Sequence, residues 1–254
     1  MGQKKLKEMG DFKFRTTVDV KASGKLLDYG SRILMLGSCF TTEIGKILQD
    51  YRFNVLVNPF GVLYNPCSIA NSVERMILCN PFTLEEVIQT NPTDKSSPAR
   101  YASFQHHSSF ARTTPGEFLE NANYSLEQAS EFLKQADTII ITLGTAWVYR
   151  NIATGKIVSN CHKRVAKEFE RSILDVTQCK AQLLKIADSL PDKNIIFTVS
   201  PIRHLKDTAH GNQISKASLL VGIDRVLQQG DSSEGTGMKA DYFPAYEIMM
   251  DELR

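Results

Sequence analysis

Two continuous apolar runs restrict the possible folds more than any other feature of this sequence. Residues 138–143 (TIIITL) and 194–199 (NIIFTV) are short, rich in β-branched side chains, and do not alternate with polar residues. Such runs are typical of strands that are buried on both faces, as in parallel sheets covered by helices. Shorter runs at 32–36 and 53–57 indicate two further strands. The sequence therefore predicts a largely parallel sheet.

Apolar residues at helical spacing lie between these runs. The spacing predicts helices near 44–51 and 69–77 and a long helix near 171–190. Parallel strands joined by helices form right-handed βαβ units, and a sheet built from them is covered by helices. We therefore predict a single, doubly wound α/β domain over residues 1–254.

Three segments qualify this simple alternation. Residues 90–124 are rich in turn-forming residues and contain paired histidines, so we expect an irregular insertion or lid there. A capping-box pattern at Ser125 and Gln128 predicts that a helix begins after it. Residues 246–254 have a helical composition without a capping glycine, which predicts a C-terminal truncation.

Composition and charge exclude several classes of protein. The chain has 30 Lys and Arg against 28 Asp and Glu, a net charge of +2, so no basic excess favours nucleic acid or an anionic membrane as partner. No apolar run approaches the ~18 residues of a membrane span, and the N-terminus lacks the apolar region of a secretory signal. Five cysteines without a CxxC pair indicate free thiols in a reducing compartment. We therefore expect a cytoplasmic protein; its oligomeric state stays open.

The histidines do not predict a metal site. His106, His107, His162 and His210 could approach one another in the fold, but their spacing matches no zinc motif. We expect neither a metal nor another cofactor.

Polar segments follow three of the predicted strands, where ligands bind in open parallel sheets. Ser38 comes directly after Gly37 and before a predicted helix, so its hydroxyl is a candidate nucleophile for acyl transfer, with its own N–H helping to hold the oxyanion. Its alternative role is that of an ordinary helix cap. Cys39 is the rival nucleophile, because a thiol at a helix N-terminus can have a lowered pKa. The alternative for Cys39 is a small core residue.

Two other segments contribute candidate residues. Gly61 follows the second strand, where it could donate an N–H to an oxyanion or simply permit a turn. Arg203 and His204 follow the run at 194–199 and are suited to a carboxylate or phosphate. Residues 207–210 spell D-x-x-H, a short pattern that often arises by chance.

Several motifs in order resemble the GSCFA family. Residues 36–40 (LGSCF) resemble the signature from which that family takes its name. The resemblance continues through NPFGVLYNP at 58–66, TLGTAWVY at 142–149, NCHK at 160–163, TVSPIRH at 198–204, HGNQISKA at 210–217 and YFPAYEIMMDELR at 242–254. The family is similar to the SGNH (GDSL-like) hydrolases, which implies a three-layer α/β/α architecture with a flavodoxin-like parallel sheet.

This resemblance implies roles for individual residues. By position, Ser38 is the nucleophile and Gly61 the second oxyanion donor. The asparagine of the third hydrolase motif is missing, and Thr145 is a guessed substitute within residues 144–147. Similar proteins continue into a D-x-x-H-P segment, so the resemblance implies a catalytic base beyond Arg254.

Two classes of function follow. The first is a serine esterase or acyl hydrolase, or a related O-acyltransferase, acting through Ser38 on a small-molecule or carbohydrate ester. The second is a binding protein on a degenerate hydrolase scaffold, in which Trp147, His162, Arg203 and His204 bind a carbohydrate or metabolite. Thiol chemistry at Cys39 is a third possibility.

Overall fold

The computed structural model describes residues 16–20, 27–90, 98–230 and 239–253. The described strands are β1 (Arg32–Gly37), β2 (Asn54–Val57), β3 (Ile88–Thr90), β4 (Arg100–Ala102), β5 (Thr138–Leu143), β6 (Trp147–Asn151), β7 (Ile157–Val158), β8 (Phe169–Ile173), β9 (Asn194–Val199) and β10 (Lys239–Phe243). The α-helices are α1 (Cys39–Asp50), α2 (Pro66–Leu78), α3 (Pro115–Gln135), α4 (Val176–Asp188), α5 (Thr208–Gly230) and α6 (Ala245–Glu247). A π-helical turn, Ile248–Glu252, follows α6.

The central sheet has five parallel strands in the order β2-β1-β5-β9-β10. Counted along the chain, these strands have the order 2-1-3-4-5 of a flavodoxin-like sheet. Gly37 at the end of β1 is in register with Thr142 of β5, which is in register with Thr198 of β9. The strand order reverses between β1 and β5, so the end of this pair is the topological switch point. The predicted parallel sheet is confirmed.

Helices cover both faces of this sheet. Side chains such as Leu34, Ile141 and Phe197 join the main core, which also contains buried residues of α2, α3, α4 and α5. Helix α1 packs on β1 and β2, and a Cβ added at Gly45 would lie 2.4 Å from the Val57 side chain. The three-layer α/β/α architecture is therefore confirmed.

The long helix predicted near 171–190 is shorter than expected. Residues Phe169–Ile173 instead form β8, which pairs antiparallel with β6 in a small sheet of order β7-β6-β8. Helix α4 then begins at Val176, with Asp175 as its N-cap and Gln178 completing a capping box. In FERSI, three exposed polar residues stand between the half-buried Phe169 and Ile173, and the helical spacing of buried residues begins only beyond it.

The helix that follows the expected insertion begins earlier than predicted. Helix α3 starts at Pro115, where Thr114 and Glu117 form the capping box. Proline at the first helical position and threonine before it are favoured at a helix start. Ser125 lies within the helix, and its hydroxyl donates to the Pro59 carbonyl at 2.5 Å. The irregular segment therefore ends before Pro115, and its first part includes the antiparallel pair of β3 and β4.

The two ends of the described chain lie together. The N–H of Val18 donates to a carboxylate oxygen of Glu252, 3.1 Å away, in the π-helical turn. Residues 245–252, where the sequence predicts a helix, are thus helical and in contact with the N-terminal segment. None of the helices in the described ranges is long and apolar enough to cross a membrane.

Candidate functional site

The turn after β1 lies at the switch point and is fixed from both sides. Gly37 has a φ of +142°, and a Cβ there would lie 2.2 Å from the Thr142 carbonyl oxygen, so only glycine permits this approach. The N–H of Ser38 donates to that carbonyl at 3.2 Å. From the β2 side, Asn58 Oδ1 accepts the Gly37 N–H at 2.8 Å, and the Leu63 N–H donates to the Gly37 carbonyl at 2.9 Å. The position of Ser38 is therefore set by backbone contacts.

Ser38 is the N-cap of α1 and is only 1% exposed. Its hydroxyl makes no capping hydrogen bond, and Oγ has no partner within the described parts of the chain. Helix α1 carries no acidic residue in its first turn, so its positive end is not neutralised there. Buried hydroxyls are normally hydrogen-bonded. Six others in the described structure also lack a partner (Thr41, Ser68, Ser72, Ser130, Thr198 and Ser200), so Ser38 is distinguished by its place at the switch point and the start of α1.

Cys39 differs from its neighbour in exposure. It is the first residue of α1, is exposed, and is a free thiol. The charge of a thiolate at Cys39 would raise the pKa of Lys216. The pKa of Tyr64 is raised chiefly by burial, and the Cys39 charge would raise it further. Both Ser38 and Cys39 can therefore be tested as the nucleophile.

Lys216 connects the ends of β5 and β9. It belongs to α5, is 1% exposed, and its Nζ donates to the carbonyl oxygens of Gly144 at 2.8 Å and Ser200 at 2.7 Å. Burial lowers the pKa of Lys216 to about 8, against the opposing effect of the Cys39 charge. A buried amine thus holds together two strand ends beside the Ser38 turn.

His204 contacts the same carbonyl group. Burial and, next, the charge of Lys216 lower the pKa of His204, while a hydrogen bond to the Gly144 backbone raises it. Its Nε2 is buried and has no hydrogen-bond partner among the residues described. Because burial is the largest effect on its pKa and lowers it, the imidazole of His204 is neutral at pH 7, and one of its ring nitrogens then carries a lone pair. Asn212 Oδ1 accepts the backbone N–H of His204 at 2.9 Å, and the Tyr64 ring lies edge-on to the imidazole.

Comparison with known proteins identifies the family of this chain. The family model described as "GSCFA family" matches residues 32–254. The chain belongs to the GSCFA family. Neither the curated proteins nor the solved structures contain a match to it. In this GSCFA chain, the matched range begins with β1 and contains the Ser38 turn, Gly144, His204 and Lys216.

Three donors expected to serve the oxyanion are engaged elsewhere in the GSCFA chain, and one of them is the Ser38 N–H, which donates to the Thr142 carbonyl. The N–H of Gly61 donates to the Asn58 carbonyl at 2.7 Å within its own turn. The hydroxyl of Thr145 forms a 3.0 Å hydrogen bond with the hydroxyl of Ser215. The Ser38 and Gly61 N–H groups would each have to give up an existing hydrogen bond before holding an oxyanion. Thr145 would have to do so where its hydroxyl is the donor to Ser215, and all three roles stay predictions.

Trp147 of the GSCFA chain packs against an arginine. The Arg171 guanidinium lies 4.0 Å from the centre of the Trp147 ring and forms an ion pair with Asp207. Asp207 of the D-x-x-H pattern is therefore engaged by arginine, and His210 is exposed. Arg203 is exposed as well, without a hydrogen bond or ion pair in the described ranges.

His162 of the GSCFA chain lies close to His106, and both contact Ser103. Its Nε2 is 2.8 Å from the Ser103 carbonyl, and the hydroxyl of Ser103 contacts His106 Nδ1 at the same distance. His106 is fully buried against aromatic rings, and burial lowers the pKa of His106 to about 3. The rings are those of Phe60, Phe82, Phe110 and Phe118. Within the described ranges, no group of three His, Cys, Asp or Glu residues is arranged to hold a metal ion.

Lys216 is the site residue for which sequence reasoning assigned no role. Its motif at 210–217 contributes to the sequence argument only through its resemblance to the family. A signal was nevertheless present, because Lys216 precedes Leu219, Ile223 and Val226 at the helical spacing of one buried face. A lysine within an apolar stripe is either extended to the surface or buried for a purpose.

Proposed function

We propose that this GSCFA protein is an acyl hydrolase that acts on the ester of a small molecule, with Ser38 as the nucleophile. The observation that carries the proposal is the buried Ser38 hydroxyl, which has no partner in the described structure and lies at the switch point of the sheet. A serine that only capped α1 would use its hydroxyl to accept a backbone N–H. Leaving a buried hydroxyl unpaired costs about 1–3 kcal/mol. Several buried hydroxyls share that state, and the place of Ser38 at the carboxyl end of β1, where ligands bind in open parallel sheets, favours a role in ligand chemistry.

His204 is the proposed proton acceptor. Burial lowers its pKa, so its imidazole is neutral at pH 7, and its Nε2 has no hydrogen-bond partner in the described structure. In serine hydrolases a neutral histidine takes the proton of the nucleophile on Nε2, and the same role is proposed for His204. The base that the resemblance implies beyond Arg254 is the alternative.

The proposed reaction proceeds through an acyl-enzyme. Ser38 Oγ bonds to the ester carbonyl carbon, the π-electron pair moves to the carbonyl oxygen, and the hydroxyl proton moves to His204 Nε2. N–H groups at the start of α1 stabilise the resulting oxyanion. Collapse expels the alcohol, which takes the proton from His204, and water then releases the acid by the same steps in turn. With a sugar hydroxyl in place of water, the same intermediate would make the protein an O-acyltransferase, which product analysis with a sugar acceptor distinguishes.

A thiol nucleophile is the second candidate. Exposure of Cys39 at the start of α1 and its electrostatic interaction with Lys216 favour it. Such a thiol should react with iodoacetamide and should not react with a fluorophosphonate, which labels nucleophilic serines.

Intact-mass spectrometry after treatment with a fluorophosphonate tests the proposal. Ser38→Ala is compared with Ser130→Ala, because Ser130 in α3 is also a buried serine whose Oγ lacks a partner in the described structure. We expect a single adduct in the wild type and in Ser130→Ala, and none in Ser38→Ala. An adduct in all three proteins would refute Ser38 as the nucleophile.

The remaining outcomes select the alternatives. Inactivation by iodoacetamide alone, abolished in Cys39→Ala, would replace the serine mechanism with thiol chemistry. No adduct with either reagent would favour the binding protein, and ligand-dependent stabilisation would then be tested at Trp147, His162, Arg203 and His204.

A further inference from the structure

Lys216 has an unused hydrogen-bonding position. An ammonium group has three N–H donors. Nζ donates one to the Gly144 carbonyl at 2.8 Å and one to the Ser200 carbonyl at 2.7 Å. The third has no protein acceptor among the residues that the structure describes, although Lys216 is 1% exposed. A buried charged donor in this state is suited to an oxygen atom of a ligand.

The charge of Lys216 also lacks an anionic partner in the described part of the chain. Its Nζ forms no ion pair there with Asp or Glu. The one acidic group that favours its protonated form is the Cys39 thiol, whose charge raises the Lys216 pKa. Buried charges are normally paired, because removing an ion from water is costly. The centre of the Tyr246 ring lies 5.7 Å from Nζ, but the ring carries no negative charge, so a buried cation without an anionic partner favours an anionic ligand.

This cation lies at the nucleophile's end of the sheet. The Thr142 carbonyl holds the Ser38 N–H, and Gly144, which holds Lys216, is two residues further along the chain, about 6.5 Å at strand spacing. The positive end of α1 is beside the same turn. Two sources of positive potential thus act on one region, in which the expected oxyanion donors Gly61 and Thr145 are engaged in other hydrogen bonds.

We propose that Lys216 donates its third N–H to an anionic oxygen of the substrate bound beside Ser38, an inference that rests on the proposed acyl hydrolase. The oxygen has two possible sources. One is the oxyanion, formed when Ser38 Oγ bonds to the carbonyl carbon and the π-electron pair moves to oxygen. The other is a carboxylate or phosphate that the substrate already carries. Lys216 transfers no atom in either case.

Kinetics with two esters distinguish these sources. Lys216→Met and Lys216→Arg are assayed on 4-nitrophenyl acetate, which is neutral, and on mono-4-nitrophenyl succinate, which carries a carboxylate. Loss of a donor to the oxyanion should lower kcat about 10²- to 10³-fold on both esters with little change in KM. Loss of a donor to a substrate carboxylate should raise KM on the succinate ester only. Lys216→Arg, which keeps the charge, should show a smaller fall in kcat or a smaller rise in KM than Lys216→Met.

Lys185→Met is the matched control, because Lys185 is an exposed lysine paired with Glu74. It should leave kcat and KM on both esters unchanged. Equal kinetics for Lys216→Met and the wild type would overturn the proposal.

A measurement on the protein without a substitution at Lys216 avoids the risk that its variants fail to fold. The rate of Ser38 labelling by a fluorophosphonate is followed from pH 6.5 to 9.5. Protonated Lys216 favours labelling, so the rate should fall as pH rises through about 8, where Lys216 loses its proton. Cys39, His204 and Tyr246 also face Lys216, and Tyr64 interacts with Cys39, so the profile is repeated in Cys39→Ala and should keep its falling part. A rate that stays level above pH 8 would contradict the role of Lys216.

Anion binding separates failure of this inference from failure of the proposed function. Inorganic phosphate should raise the melting temperature of the wild type and of Ser38→Ala, but not that of Lys216→Met. If Ser38 is never labelled and phosphate still stabilises the wild type through Lys216, the hydrolase proposal fails and the anion site stands. If Ser38 is labelled, phosphate does not change the melting temperature, and the labelling rate stays level above pH 8, the hydrolase proposal stands and the anion site at Lys216 fails.

Discussion

A methyl group added at Gly37 should separate the two strands between which the site lies. In Gly37→Ala, the new Cβ would be 2.2 Å from the Thr142 carbonyl oxygen and 2.9 Å from its backbone nitrogen. These are backbone atoms of β5 in the centre of the sheet, so they cannot move as a side chain could. The φ of +142° at position 37 is also one that alanine rarely adopts.

The expected cost is the sum of two contributions. A backbone held in a sparsely populated conformation costs about 1–3 kcal/mol. If β1 then moves away from Thr142, the hydrogen bond from the Ser38 N–H is lost, at about 0.5–1.5 kcal/mol. We therefore expect Gly37→Ala to lower the free energy of unfolding by about 1.5–4.5 kcal/mol and to abolish labelling of Ser38.

Two other glycines separate these contributions. Gly155 has a φ of +67°, but a Cβ added there would have no neighbouring atom within 4 Å, so Gly155→Ala should cost only about 1 kcal/mol, from the conformation alone. Gly116, in the first turn of α3, has neither a positive φ nor a close neighbour. Gly116→Ala should gain about 0.5 kcal/mol, because alanine favours helices.

Urea unfolding followed by fluorescence of the single tryptophan, Trp147, measures all three variants. The free energies should rank Gly116→Ala above the wild type, then Gly155→Ala, then Gly37→Ala. If Gly37→Ala is no less stable than Gly155→Ala, the contact between the turn and β5 is not rigid, and the positioning argument for Ser38 is wrong.

Three smaller predictions concern the rest of the molecule. Thr114→Ala removes the cap of α3 and should cost about 1 kcal/mol in urea unfolding, since Thr114 accepts the Glu117 N–H. The pKa of His106 is about 3 in the folded protein against 6.5 ordinarily, so its neutral form stabilises the fold fully above pH 6.5, and that stability is lost as pH falls. Melting curves at pH 7.5 and 5 should therefore show about 2 kcal/mol less acid destabilisation in His106→Phe than in the wild type. Glu74→Gln should change urea stability by less than about 0.5 kcal/mol, because its ion pair with Lys185 is exposed; a larger loss would point to a wider charge network.

The central strands could be predicted because burial on both faces leaves a continuous apolar run. This holds for β5 and β9, which lie inside the sheet. The edge strand β10 was not predicted, since its sequence KADYF places Lys239 and Asp241 at exposed positions. The start of α3 was misplaced because a capping-box pattern occurs at Ser125 as well as at Thr114, and local sequence does not decide between them.

The site was predictable in place but not in its hydrogen bonds. The strand ends carrying Ser38 and His204 could be located, since parallel strands finish at one edge. That Gly61 uses its N–H within a turn depends on the path of the backbone, which residue types do not encode. A lysine on an apolar helix face can extend to solvent, so only the packing of α5 shows that Lys216 is buried against two carbonyl groups.

The seam between β1 and β5 has a consequence for how the protein is made. Ser38 bonds to Thr142, which a ribosome adds 104 residues later, or roughly 5–20 s at ordinary rates of synthesis. Pairing across such a distance requires closing a long loop, a step that proteins with distant contacts complete slowly. The Ser38 turn therefore forms only after β5 has emerged. A nascent chain should carry Ser38 for many seconds without reactivity, and a fragment that ends before β5 should never acquire it.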